Sequence, residues 1–401
     1  MLEPLPALFI TILIAYALGE ICKIIKVPRV VGHLTAGVIL GLPLLKNYLF
    51  TKESLNLISL LADLGIILFF FFIGLGINLK GFRANLKESS LVSIFNTIIP
   101  LSLGFIISYY VFNLDFIAST VIGLCLAVSS QLISLDILDE FNILKTKIGQ
   151  LIITSGAVDD VFELILISII LAVINVSNDY RGVFQVISNV SVFIVLLILL
   201  RLIILPYVFK LFEGRTTTSL FSGALIVAFL TAVLSDLLGL DIFIGALFAG
   251  VVIRHMLLIG KHKKPWEEHS ITHSIHIVAF GFLVPLFFVS VGLNTNLDLI
   301  FNNLNLSFAF LLIALFGTVI GSVIGVRLSK GSFKEGLIVG FGVSPKGDTE
   351  LILATLALSA GVFTQTIFSA IIFMAVLTTL FSPIIFRILI KKYSYLLNVR
   401  H

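Results

Sequence analysis

Two adjacent aspartates, Asp159 and Asp160, fall about halfway along an apolar run from Thr146 to Val173. A charged side chain at the centre of a membrane helix costs at least roughly 2.5–3.5 kcal/mol on insertion scales, so intramembrane acids are read as functional by default. A desolvated carboxylate tends to hold a proton, and a cation that brings compensating charge displaces it. One carboxylate site can therefore bind either ion. Glu163, at i+4 from Asp159 and i+3 from Asp160, shares their helix face. It serves equally well as an ion contact or as the partner of a buried base. The plain alternative for the aspartates is a buried pair satisfied by neighbouring helices.

A second constellation is Ser344-Pro345-Lys346-Gly347-Asp348, which interrupts the apolar run from Phe333 to Gly361. The proline removes a helical hydrogen bond and the glycine loosens the backbone. Ser344 is expected to cap a half-helix that restarts at Pro345. Lys346 then becomes a cation at membrane depth, paired with Asp159 or Glu163, unless it snorkels to an interface. Asp348 and Glu350 fall in the first turn after the break, where their simplest role is to offset the helix dipole. Ser129-Ser130-Gln131 occupies the equivalent place earlier in the chain. Ser129 and Ser130 could cap another broken helix or lend oxygens to a cation, although serine in membrane helices usually bonds its own backbone.

The elements that must position these residues are membrane helices. Of 401 residues, 59% are hydrophobic and 12% charged, and the mean hydropathy of +1.16 lies far outside the soluble range. A span needs about 20 apolar residues. Glycines, prolines and charges divide the chain into about 13 such segments, running Leu5–Ile25, Val30–Leu45, Leu55–Leu79, Ser90–Phe112, Phe116–Leu138, Thr146–Val173, Val183–Leu211, Ser219–Leu238, Ile242–Leu258, Ile271–Leu293, Phe308–Leu328, Phe333–Gly361 and Gln365–Ile390. The first has no basic region before it and no cleavage pattern after it, so it reads as a retained helix. Residues 1–395 form one transmembrane domain on this reading, followed by a short cytoplasmic tail at 396–401. Basic residues alternate loop by loop, clustering at Lys23 to Arg29, Lys80 to Lys87, Lys145 and Lys147, Lys210 and Arg215, Arg254 to Lys264, Arg327 to Lys334, and in the tail. The positive-inside rule then puts the N-terminus outside and the C-terminus in the cytoplasm. The net charge of +4 is thus an orientation signal, and no nucleic-acid role follows from it.

Two internal echoes divide the chain. Leu34-Thr-Ala-Gly37 recurs as Leu247-Phe-Ala-Gly250, an offset of 213 residues (250 − 37). Phe71-Phe72-Ile-Gly74 recurs around Phe287-Phe288 and Gly292, an offset of 218 (292 − 74). They align a first repeat at about 5–173 with a second at about 219–390, leaving 183–211 as a linker helix. The charge pattern gives the two copies opposite orientation. Inverted repeats of this kind place a substrate site near the midplane, on interrupted helices in equivalent positions of the two halves. The offset of 215 (344 − 129) between the two serine-containing breaks fits that scheme.

Elsewhere the packing readings prevail. Gly317, Gly321 and Gly325 have the spacing of close helix contact. Cys22 and Cys125 lack metal or redox spacing. His262, Trp266, His269 and His273 suit an interfacial amphipathic segment, with pH sensing as the alternative. No nucleotide-binding glycine loop or metal motif is present in the sequence, so no cofactor is expected.

Ala157-Val158-Asp159-Asp160-Val161, Ser129-Ser130, Leu240 to Gly250, Phe288 to Leu293 and the Pro345-Lys346-Gly347-Asp348 turn resemble the second cation:proton antiporter family over nearly the whole chain. The resemblance implies a 13-helix inverted-repeat fold with two crossed broken helices, a homodimer in the cell membrane, and elevator-like motion of a core. It implies exchange of a monovalent cation, Na+ first and K+ or Li+ as alternatives, for H+, with Asp160 as the main ion-binding aspartate and Asp159 as its neighbour. Lys346 takes the place of the family's frequent arginine, and Asp348 that of a glutamate. Glu163 departs from the pattern, and the middle of segment 11 lacks the lysine of many electrogenic members. The chain also ends soon after segment 13, so no cytosolic nucleotide-binding module is expected. A channel or sensor built on the same fold is the rival from another class.

Overall fold

The computed structural model describes residues 2–25, 27–76, 86–129, 134, 137–138, 141, 143–144, 146–156, 158–159, 180–204, 207, 216–238, 242–259, 265–347 and 349–397. Among these the chain is helical, with a single isolated bridge between Leu2 and Phe50 as its only β pairing. The helices are α1 (Pro4–Ile24), α2 (Arg29–Leu40), α3 (Pro43–Leu49), α4 (Lys52–Gly76), α5 (Leu86–Ile106), α6 (Phe116–Ala127), α7 (Tyr180–Leu199), α8 (Thr217–Leu237), α9 (Ile242–Ile259), α10 (Pro265–Val278, continued through a π turn into Val284–Leu293), α11 (Leu297–Asn302), α12 (Leu304–Leu312, continued through a π turn into Thr318–Leu328), α13 (Phe333–Val343), α14 (Thr349–Ser359) and α15 (Gln365–Lys392). Seven described helices are long and apolar enough to cross a membrane, or eight if the bent α2–α3 pair counts as one span. Large apolar side chains such as Leu5, Phe9 and Leu13 stand exposed on the outside of α1, which is the surface that lipid solvates. The chain is a multi-pass membrane protein.

The segment expected as one helix from Val30 to Leu45 is two. After α2 the backbone turns extended at Leu42 (φ −56°, ψ 135°) and Pro43 starts α3, with the two axes bent by 81°. Proline fixes φ and lacks an N–H, so it opens a helix far more readily than it continues one.

Two compact units divide the chain. One comprises residues 1–15, 42–77 and 168–290. Its α4 and α9 cross at glycines: a β-carbon on Gly74 would meet the Leu247 carbonyl and lie 3.1 Å from the Gly250 Cα. Close backbone approach of this kind drives helix association where no hydrophobic effect operates between helices. Phe70 stacks on Phe243 with ring centroids 5.8 Å apart, and Asn189 donates to the Leu238 carbonyl at 2.7 Å.

The other unit comprises residues 16–41, 78–167 and 291–401 and carries Ser129, Asp159, Ser344, Lys346 and Glu350. Gly292 rests on α2, where a β-carbon would lie 2.7 Å from the Gly37 Cα. The expected close contact of Gly317, Gly321 and Gly325 is present: they form the ridge of α12 that lies on α5, against Pro100, Phe95–Asn96 and Leu91–Val92 respectively. The N-terminus of α13 carries a full capping box of Ser332 and Glu335. Leu397, almost wholly buried, closes an apolar cluster with Ile137, Leu138, Ile143, Ile152, Ile338 and Phe386.

Candidate functional site

The site is built where two helices break. α6 stops at Ala127, because Val128 takes an extended conformation (φ −53°, ψ 138°). The last carbonyls of a stopped helix have no intrahelical donors and carry the negative end of its dipole. α13 stops at Val343, and the next described helix, α14, begins at Thr349. Lys346, in the gap, is wholly buried, and its ammonium donates to the carbonyl oxygens of Ala127, at 3.3 Å, and Val128. A cation in contact with these oxygens satisfies them and neutralises the dipole together. The support is mutual, since the Ser134 hydroxyl donates to the carbonyl of Gly342 in the last turn of α13.

Asp159 lies in the helical stretch 158–159 and has no exposed surface. Asn96 Nδ2 donates to its Oδ2 at 3.0 Å, and the Thr97 hydroxyl reaches its Oδ1 at 3.4 Å. Ser93, one turn earlier in α5, faces the same carboxylate without completing a hydrogen bond among the described residues. Lys346 lies within electrostatic reach of Asp159. Glu350, in the first turn of α14, is also wholly buried, and its carbonyl faces the Cys125 sulfur of α6 at 3.9 Å. Ser129 is buried in the extended stretch after α6. Asp160, Glu163, Ser130 and Asp348 lie outside the described residues.

Ser344 differs from its expected role. It ends α13 as the C-terminal cap, with its hydroxyl bonded back to the Gly340 carbonyl at 2.6 Å, and the restart comes five residues later. A serine hydroxyl satisfies a carbonyl one turn back as readily as it caps a new helix, and the intervening gap is what lets Lys346 reach α6. The carbonyl partners of Lys346 were not legible in the sequence, because any residue offers a carbonyl. Asn96 and Thr97 were missed as well, although Ser89, Ser93, Asn96 and Thr97 recur at i, i+4, i+7 and i+8 within an apolar run, which is one face of a helix.

The transmembrane sodium/hydrogen exchanger family matches residues 9–392. The chain belongs to that family. This exchanger-family chain is 29% identical over 366 residues to the Na(+)/H(+)-K(+) antiporter GerN of Bacillus cereus, covering 91% of this chain and 90% of that one. It is 27% identical over 385 residues to the probable Na(+)/H(+) antiporter 3 of Methanocaldococcus jannaschii, covering 94% and 95%. Among solved structures, the sodium proton antiporter MjNhaP1 from the same archaeon superposes with a TM-score of 0.71 over 98% of this chain and 97% of that one, at 18% identity; this likeness is one of fold. The family consists of secondary transporters, not enzymes. In this exchanger-family chain the Asp159 carboxylate is held by neutral donors within electrostatic reach of a buried ammonium, and a desolvated carboxylate in general holds either a proton or a cation that brings compensating charge.

Proposed function

We propose that the chain is a secondary antiporter that exchanges a monovalent cation, Na+ with K+ as the alternative, for protons. Asp160 is the shared proton and cation site, Asp159 its neighbour, Lys346 the fixed counter-charge, and Ser129, Ser130 and Glu163 support the ion. The observation that carries this reading is the buried Asp159 carboxylate in the same unit as a buried lysine seated on a broken helix. Two ions competing for one desolvated carboxylate are exchanged without ATP, provided the empty charged site crosses the membrane poorly. The names of the relatives from Bacillus cereus and Methanocaldococcus jannaschii agree with Na+, and the first also names K+.

The proposal includes the architecture of about 13 spans, with inverted repeats, the N-terminus outside, two crossed broken helices and a homodimeric assembly. Four glycine positions support the repeat. The echoed motifs pair crosswise, Gly292 with Gly37 and Gly74 with Gly250, so each copy of one motif rests on the opposite copy of the other. The test is cation-induced dequenching of an internal pH dye in proteoliposomes, run with Li+, Na+ and K+. Proton release on cation addition is expected. Current without a need for a proton gradient would replace exchange with a channel.

A further inference from the structure

α5 has two buried faces of different chemistry. The face toward α12 is packed through the glycine ridge of that helix, so close approach there needs no polar side chain. Ser89, Ser93, Asn96 and Thr97 line an adjoining arc of about 100°, with the Asn96 backbone at the border between the two, against Gly321, and all four are almost wholly buried. The stripe runs eight residues along the helix, about 12 Å. At one end Asn96 and Thr97 hold Asp159. At the other the Ser89 hydroxyl bonds Thr154, directly after the exposed Lys87 and the half-buried Glu88. Thr154 and Asp159, five residues apart in the chain, therefore meet the stripe at its two ends.

We propose that this stripe is the proton path between the aspartate site and the cytoplasmic end of α5. It rests on the antiport reading and its orientation above. Hydroxyls both donate and accept, so each can take a proton on its oxygen while releasing its own. Successive serines one turn apart are about 5–6 Å apart at their Cβ atoms, a gap that one water molecule bridges. One proton leaves the carboxylic acid of the site, each hydroxyl and water passes one on, and one proton arrives at the cytoplasmic surface. Every relay group ends as it began, and nothing is oxidised or reduced. Asn96 and Thr97 position the carboxylate at the head of the path, Ser93 is the first relay, and Ser89 with Thr154 is the last.

The rival role for such a stripe is helix packing, because serine and threonine also join membrane helices by hydrogen bonds. The test separates the two. Ser93→Ala and Ser93→Thr are reconstituted and assayed for Na+-driven proton release in H2O and D2O, with melting temperature read in detergent. Ser93→Ala is expected to slow release by roughly tenfold or more, with a larger D2O slowing than the parent protein shows. Ser93→Thr, which keeps the hydroxyl, restores the rate. Parental rate and isotope ratio in Ser93→Ala overturn the proposal. So does a loss that tracks a lowered melting temperature and is not restored by threonine. If Ser93→Ala does not fold, Ser89→Ala is read by the same criteria. Absence of Na+-driven proton release from the parent protein would refute the antiport reading itself, a result distinct from any of these.

Discussion

Replacing Lys346 by alanine removes two things that can be measured apart. The first is the cap on α6: the ammonium donates to the carbonyls of Ala127 and Val128, and hydrogen bonds to a charged donor contribute about 1.5–3 kcal/mol. The second is charge compensation, because Asp159 is wholly buried and within reach of the ammonium. Breaking a buried pair from one side costs about 3–5 kcal/mol. The charge component is the larger, so Lys346→Ala should lower the melting temperature by at least roughly 6 °C, taking about 2 °C per kcal/mol for a cooperative unit of 150–250 residues. Asp159→Asn combined with Lys346→Ala removes both charges but leaves α6 uncapped. The double variant should regain the charge component, roughly three-fifths of the loss, and keep the rest. Melting temperatures of the parent, both single variants and the double variant in detergent complete the cycle. Strictly additive losses would refute compensation of Asp159 by Lys346, and a loss below about 1 kcal/mol for Lys346→Ala would refute both roles.

Asp160→Asn should abolish cation-driven proton movement in proteoliposomes while the melting temperature stays close to that of the parent; normal exchange by this variant would remove Asp160 from the mechanism. Asp159→Asn should be milder or should change the charge moved per cycle, read as current under a clamped potential. Gly321→Val should abolish exchange and lower stability by at least about 3 kcal/mol, since a β-carbon there lies 2.7 Å from the Asn96 Cα and pushes α5 and its grip on Asp159 aside; unaltered exchange would show that α12 and α5 do not set the site. Leu397→Ala should cost about 2–5 kcal/mol by leaving a cavity in the cluster it closes, seen as a lower melting temperature. An impermeant thiol reagent should label Asn296→Cys from outside and Asn78→Cys only from the cytoplasm, and the same sidedness for both would overturn the inverted repeat.

What the sequence disclosed follows from what membranes punish. A charge or a proline in an apolar run is energetically conspicuous, so Asp159, Lys346 and the break after Val343 were all readable. Small residues at four-residue spacing are conspicuous too, and Gly317, Gly321 and Gly325 lie in contact as that spacing predicts. Neutral polar residues are not conspicuous in this way. Serine, threonine and asparagine insert at low cost by bonding their own backbone, and Asn96 differs from an ordinary helix residue only through the neighbour it meets. The position of the restart was illegible for a related reason. Ser344 satisfies a carbonyl behind it as well as an amide ahead of it, and only the packing of α6 against the gap decides between the two.

The ends of α6 and α13 explain why a lysine can lie wholly buried here at all. A buried ammonium without oxygen partners would tend to lose its proton, and with it the power to balance an acid. Carbonyls freed by the end of α6 hold Lys346 without supplying a formal negative charge. On the proposed function, partners that carry no formal charge hold the lysine while the aspartates change ions, and its charge stays available to them. A carboxylate partner alone would pair with the lysine in one step of the cycle and abandon it in another. On the proposed function, the adjoining ends of α6 and α13 are therefore what holds a counter-charge fixed while the acids exchange their ions.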